Sequence, residues 1–189
     1  MIGNDIVDLK HISSNWKRPR YLDKVFTEKE QVLISSAEHQ HQLVWLLWSM
    51  KEAAYKVHVQ QFGERFFNPK RLECELMPDN KGLVIIDHNT YFTVSTTTEN
   101  YVYTIARIDL KEDLNTAVFK SEDSSYSLQS MVLKENFLKS ISETQDLQYN
   151  MLHIKKTDIG IPQLFNNSKK LPIDFSLSHC GRFSGFAYQ

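Results

Sequence analysis

Glu52 and Lys56 stand four residues apart in Leu47-Trp48-Ser49-Met50-Lys51-Glu52-Ala53-Ala54-Tyr55-Lys56. At 3.6 residues per turn Trp48, Glu52 and Lys56 stack along one side of a helix, while Leu47, Met50, Ala54 and Val57 turn toward a core. Taken alone, Glu52 and Lys56 would be a surface ion pair contributing a few tenths of a kcal/mol. Other residues point further. Asp5 lies in a short apolar strand with Ile2, Ile6, Val7 and Leu9, where a buried carboxylate is costly unless paired or metal-bound. Strand period two puts Asp5 on the face of Gly3, Val7 and Leu9, and turns Asp8 the other way. At the far end, Phe175 to Phe183 alternates, with Phe175, Leu177 and His179 on one face and Ser176, Ser178 and Cys180 on the other. His179 and Cys180 therefore diverge and form no nucleophile–base pair. His39 and His41 splay apart on a helix and make a poor metal pair. Carboxylates without a cysteine or histidine cluster suit Mg²⁺, which takes oxygen ligands from one or two carboxylates and from substrate phosphates. Lys56 could then neutralise one phosphate oxygen while His179 and Arg182 grip another phosphate. The chemistry indicated is that of a metal-dependent phosphate-ester site.

The elements that position these residues follow from pattern. Thr27-Glu28-Lys29-Glu30 has the form of a capping box and predicts a helix start, with Val32, Leu33 and Ala37 turned inward. A longer helix is expected from about His41 to Gln61, stopped by Gly63. Four β-rich runs follow, Arg71 to Met77, Gly82 to Asp87, Tyr91 to Thr97 and Tyr101 to Ile108, separated by polar turn formers and expected to form an antiparallel meander on the helix. Lys111 to Asn115 has the composition of a boundary. Beyond it a helix is expected from about Ser125 to Ile141, carrying Leu128, Met131, Val132, Phe137 and Leu138. Met151 to Lys155 is expected as a strand, Asp158 to Leu164 contains Gly160-Ile161-Pro162, and Asn166 to Lys170 is expected as a loop. Helix followed by strands occurs twice, which permits two similar lobes.

Composition narrows the class. A chain of 189 residues with 41% hydrophobic content can build one domain or two small lobes. Its formal charge of -1 provides no global field toward nucleic acid or an anionic membrane, so an anion site must be local. Two cysteines are too few for a disulfide framework, and no stretch approaches a membrane span. A soluble cytoplasmic protein is expected.

Three stretches carry a resemblance to a known family. Gly3-Asn4-Asp5-Ile6-Val7-Asp8 looks like a Gly-x-Asp-Ile signature, Trp48 to Lys56 looks like Trp-x-x-Lys-Glu-x-x-x-Lys, and Ser178-His179-Cys180-Gly181-Arg182 looks like Ser-His-Ser-Gly-Arg. All three are signatures of the 4'-phosphopantetheinyl transferases, and Phe26-Thr27-x-x-Glu30 also matches. The resemblance covers residues 1 to about 108 and is faint from 111 to 172. The Asp motif comes first and the Ser-His strand last, as in the small holo-acyl-carrier-protein synthases, yet the wording of the last strand resembles the two-lobed, surfactin-type class. The resemblance implies an α+β fold of antiparallel sheets, each packed on a long helix, in two similar lobes. It divides the chain into a metal-binding and catalytic lobe, 1–110, and a second lobe, 111–189, that meets the 3'-phosphate of coenzyme A. A two-lobed monomer is expected over a trimer.

The resemblance further implies that Asp5 and Glu52 bind Mg²⁺ on the pyrophosphate of coenzyme A and that Lys56 contacts that pyrophosphate and assists the leaving group. Ser178, His179 and Arg182 would line the coenzyme site, with His179 at the 3'-phosphate. The serine hydroxyl of an apo acyl or peptidyl carrier protein, as in fatty-acid biosynthesis, would attack the β-phosphate. Glu52 or a metal-held water would accept its proton. Val7 stands where two-lobed members often carry a third carboxylate, and Ile161 stands where a Gly-Lys-Pro motif usually has Lys. The basic run Lys17, Arg18, Arg20 and Lys24 is read as a dock for an acidic carrier. Two alternatives stand beside transfer: a non-catalytic relative that binds coenzyme A or a carrier, and a Mg²⁺-dependent phosphohydrolase.

Overall fold

The computed structural model describes residues 1–12, 14–109, 114–121 and 125–189. Its frame is β1 (Ile2–Asp8) lying against α3 (Gln40–Phe62). Gly3 makes that contact possible, because a Cβ there would overlap the Ala53 carbonyl oxygen. With the strand this close, three α3 side chains reach its carbonyls: Ser49 donates to Asp5 O (3.2 Å), Lys56 to Asn4 O (2.6 Å) and Gln60 to Ile2 O (2.8 Å). Leu47, Met50, Ala54 and Val57 are buried on the core side of α3, as their spacing predicts. Gly63, in the left-handed region at φ 72°, ends the helix.

The expected meander is present. Strands β2 (Leu72–Leu76), β3 (Lys81–Ile86), β4 (Asn89–Thr97) and β5 (Tyr101–Arg107) join β1 in one antiparallel sheet of order β1-β5-β4-β3-β2. Ahead of α3 come the short α1 (Tyr21–Val25) and α2 (Glu28–Ser36), the latter opened by the reciprocal Thr27–Glu30 capping box. Its inward face differs from expectation, since Val32 and Leu33 are exposed and Glu30 and Ile34 are buried. The cause is Lys51. Its ammonium lies 2.7 Å from Glu30 Oε2 and donates to the Val25, Pro69 and Leu72 carbonyls, while Cys74 N–H donates to Glu30 Oε1 (2.8 Å). Glu30 is thus pulled into the core, and the residue one turn later, Ile34, follows it.

The predicted boundary at Lys111 to Asn115 lies mostly outside the described residues. Beyond it β6 (Asn115–Lys120), β10 (Phe175–Cys180) and β11 (Phe183–Tyr188) form a sheet of order β10-β11-β6, packed on α4 (Tyr126–Thr144). The buried stripe of α4 is Gln129, Leu133, Phe137 and Ile141, at strict i, i+4 spacing. Leu128 and Met131, expected inside, are exposed. A small sheet of β7 (Leu152–Lys156), β8 (Pro162–Asn166) and β9 (Lys169–Lys170) completes the chain. Asn166 to Lys170 is a tight hairpin turning at Asn167 (φ 52°) rather than a loop.

The architecture is therefore α+β, with antiparallel sheets each packed on a long helix. The two sheets meet at β1. Ile2 and Ile6, from the face opposite α3, pack with Tyr103 and Ile105 against Phe183 and Ala187. Wholly buried Asn4 links them: its N–H donates to Ser176 Oγ (3.0 Å) and its side-chain amide donates to Tyr103 Oη and Gly185 O.

Candidate active site

Where β1, α3, α4, β7, β8 and β10 converge lies a cavity of about 550 Å³. Asp5, Glu52 and Lys56 form one part of its wall and Ser178 and His179 another, although 173 positions separate Asp5 from Ser178. Asp5 reaches it because Gly3 seats β1 on α3. Glu52 and Lys56 reach it because they lie on the side of α3 away from Leu47 and Met50.

The electrostatics of the two carboxylates suit a cation. Burial pushes the Asp5 carboxyl up from its ordinary 3.8 to about 7, with Lys56 opposing the rise and Glu52 adding to it. Burial also raises Glu52, again against Lys56. The one ammonium nearby does not satisfy both acids: Lys56 Nζ stands 3.7 Å from Asp5 Oδ1, and Asp5 Oδ2 is buried without a hydrogen-bond partner. Two desolvated carboxylates with an orphaned oxygen fit a hard, oxygen-seeking divalent ion. No cluster of three or more His, Cys, Asp or Glu side chains suited to a metal occurs among the described residues. Asp5 and Glu52 could therefore supply two positions, leaving the others to water and phosphate oxygens.

His179 Nδ1 is 3.1 Å from Gln129 Oε1, and its ring packs on Tyr126 at 4.5 Å. Burial, then Lys56 and Lys134, lower its pKa, so it is neutral at pH 7. Ser178 is buried at the cavity wall with its hydroxyl unpartnered. Both groups can meet a ligand.

Arg182 and Asp8 have gone elsewhere. Arg182 is not among the cavity-lining residues. Its backbone N–H, Nε and Nη2 all donate to the wholly buried Asp8 carboxylate at 2.8–2.9 Å. Burial raises the Asp8 carboxyl, but the Arg182 hydrogen bonds outweigh it and hold the group below the usual carboxylate range. A Cβ on Gly181 (φ 56°) would stand 2.6 Å from Asp8 Oδ2, so the turn between β10 and β11 closes on Asp8 only with glycine there. Asp8 thus faces away from Asp5, as strand alternation predicts, and clasps the last hairpin.

Sequence reasoning passed over Arg65, Lys134 and Lys156, which line the same cavity, and Gln129, which orients His179. A signal existed for Lys156, because alternation in β7 puts it on the face of Leu152 and Ile154. Arg65 lies in irregular chain, where no periodicity marks a direction.

Two buried carboxylates beside a cavity lined by Lys56, Arg65, Lys134 and Lys156 suit a phosphate ester bound together with a cation. The family model of the 4'-phosphopantetheinyl transferase superfamily matches residues 1–106, and the chain belongs to that superfamily. Among solved structures it is similar to the holo-[acyl-carrier-protein] synthase of Thermotoga maritima, at 10% identity, over 89% of this chain and 83% of that one, with a TM-score of 0.42. No curated protein sequence matches it. Among the described residues, no helix is long and apolar enough to cross a membrane.

Proposed function

We propose that this chain transfers the 4'-phosphopantetheine arm of coenzyme A to a serine of an apo acyl or peptidyl carrier protein, with release of 3',5'-ADP. The observation that carries the reading is the convergence of Asp5, Glu52 and Lys56 with Ser178 and His179 on one cavity. Asp5 and Glu52 would hold Mg²⁺, which when bound neutralises charge on the pyrophosphate. Lys56 is placed to turn from Asp5 to a phosphate oxygen and to stabilise the leaving group. The carrier serine oxygen bonds to the β-phosphorus, the bond from that phosphorus to the bridging oxygen breaks, and 3',5'-ADP departs with that oxygen. The serine proton passes to Glu52 or to water. Positioning and charge neutralisation supply most of such a rate.

Because both walls of the cavity come from one chain, the reading favours a monomer with lobes 1–110 and 111–189. The carrier would approach along the basic segment before α1. Arg18 stacks over Tyr21 at 5.0 Å, and Tyr21 feels the charges of both Arg18 and Glu52, which supports a dock adjoining the site.

The test is mass spectrometry of an apo carrier protein incubated with coenzyme A, Mg²⁺ and the protein. A phosphopantetheine-sized gain that Glu52→Gln abolishes supports transfer. No gain across several carriers, or release of nucleotide without a carrier, refutes it.

A further inference from the structure

The peptide unit between Gly181 and Arg182 is held from both sides. Its N–H donates to Asp8 Oδ2 (2.9 Å), and its carbonyl oxygen, on Gly181, accepts from the Gln129 side-chain amide. In a trans peptide these two groups point in opposite directions, so Asp8 and Gln129 grip one rigid plane from opposite edges. The Asp8 edge is firm. That carboxylate is wholly buried and also takes Arg182 Nε and Nη2, both at 2.8 Å, and the Lys10 N–H at 3.0 Å. Hydrogen bonds to an ionised group are the stronger class. No side chain stands between carboxylate and peptide, because a Cβ on Gly181 would come within 2.6 Å of Asp8 Oδ2.

The Gln129 edge reaches the cavity. A side-chain amide has one donor end and one acceptor end. With its NH2 committed to Gly181 O, Gln129 presents Oε1 to His179 Nδ1 at 3.1 Å. That oxygen can only accept, so the hydrogen of the neutral ring sits on Nδ1 and Nε2 is bare. Tyr126 packs on the ring at 4.5 Å, and His179 lines the cavity, which leaves Nε2 as the nitrogen for a ligand.

We propose that Asp8 is a positioning residue for His179, acting through the Gly181–Arg182 peptide and Gln129 to fix the ring with its hydrogen on Nδ1. The part of this ring in coenzyme binding rests on the transfer reading above, whereas its fixed state does not. An imidazole without such a partner exchanges its hydrogen between the two nitrogens, and holding one state before the ligand arrives lowers the ordering required on binding.

Nitrogen-15 NMR of the histidine-labelled, full-length protein in EDTA tests it at mildly alkaline pH, with the His179 signals assigned by their loss in His179→Gln. The wild type should carry its hydrogen on Nδ1. Gln129→Leu should move it to Nε2, and Asp8→Ala should give a mixture of the two. Asp8→Asn keeps an acceptor oxygen for the peptide N–H and should restore the wild-type ring. Arg182→Gln keeps that N–H as well, so it should lower the urea midpoint and leave the ring unchanged. Asp8→Ala should also weaken coenzyme A about tenfold. A wild-type hydrogen on Nε2, or a ring unmoved by Asp8→Ala, overturns the proposal. Where Asp8→Ala does not fold, a ring unmoved by Gln129→Leu, or moved as far by Arg182→Gln, overturns it. A wild type that modifies no carrier refutes the transfer reading and leaves the ring measurement to decide the proposal.

Discussion

Replacing Asp5 with Asn should abolish function and stabilise the fold, and the size of the second effect can be worked from the site. Burial moves the Asp5 carboxyl from 3.8 to about 7, which at about 1.36 kcal/mol per tenfold change in proton affinity is roughly 4 kcal/mol of disfavoured ionisation. The Asp5 side chain keeps 15% of its exposure, so that figure is an upper bound. The amide still needs hydrogen bonds and Lys56 loses a counter-charge, which reduces the gain to about 1–3 kcal/mol. The sign follows from linkage: a carboxyl whose folded pKa is raised costs nothing below pH 3.8, costs more as pH rises to about 7, and costs a constant amount above that. Urea unfolding in EDTA should therefore show Asp5→Asn level with the wild type near pH 4 and more stable at pH 8. Adding Mg²⁺ at a hundred times its dissociation constant should stabilise the wild type by about 2.7 kcal/mol and leave Asp5→Asn unmoved. An Asn variant no more stable than the wild type at pH 8 in EDTA would refute the argument that this carboxylate is held at a cost for a cation.

Asp8→Ala should lower the urea midpoint, because it strips the carboxylate that Arg182 clasps and loosens the hairpin at Gly181. The Asp8 carboxyl is held below its ordinary value, so its contribution is fully present above that value and is lost as pH falls through the folded one; acid unfolding of the wild type and Asp8→Asn should diverge accordingly. Lys51→Met should cost about 3–5 kcal/mol by leaving Glu30 buried and unpaired, and Glu30→Gln added to it should recover part of that loss in a double-mutant cycle by urea melts. Reversing Arg18 and Arg20 to Glu should raise the carrier Michaelis constant at low salt and lose its effect at high salt; an unchanged constant at low salt refutes docking there.

Local signals were read well where one residue type answers one local need. The capping box at Thr27, the stop at Gly63 and the four meander strands depend on neighbours within a turn or a hairpin, and all stand within a few residues of expectation. The inward faces of α2 and α4 did not follow from hydrophobicity. Glu30 and Gln129 occupy the positions where an apolar residue would be sought, because each satisfies a distant polar partner, Lys51 in one case and His179 in the other. A hydrophobic pattern cannot register a polar side chain whose partner lies more than twenty residues away.

The candidate site divides in the same way. Glu52 and Lys56 share a helix face by spacing alone, and alternation in β1 separates Asp5 from Asp8 without any knowledge of the fold. The signatures around those residues carried the family, which depends on residue identity and order. Which residues share the cavity was decided only in three dimensions. Gly3 lets β1 touch α3 and so brings Asp5 to Glu52; Asp8 captures Arg182 and removes it from the cavity wall; and the close of α3 delivers Arg65 onto Gly160. These are long-range contacts between short polar groups, selected by close approach and charge satisfaction, and neither property is periodic along the chain.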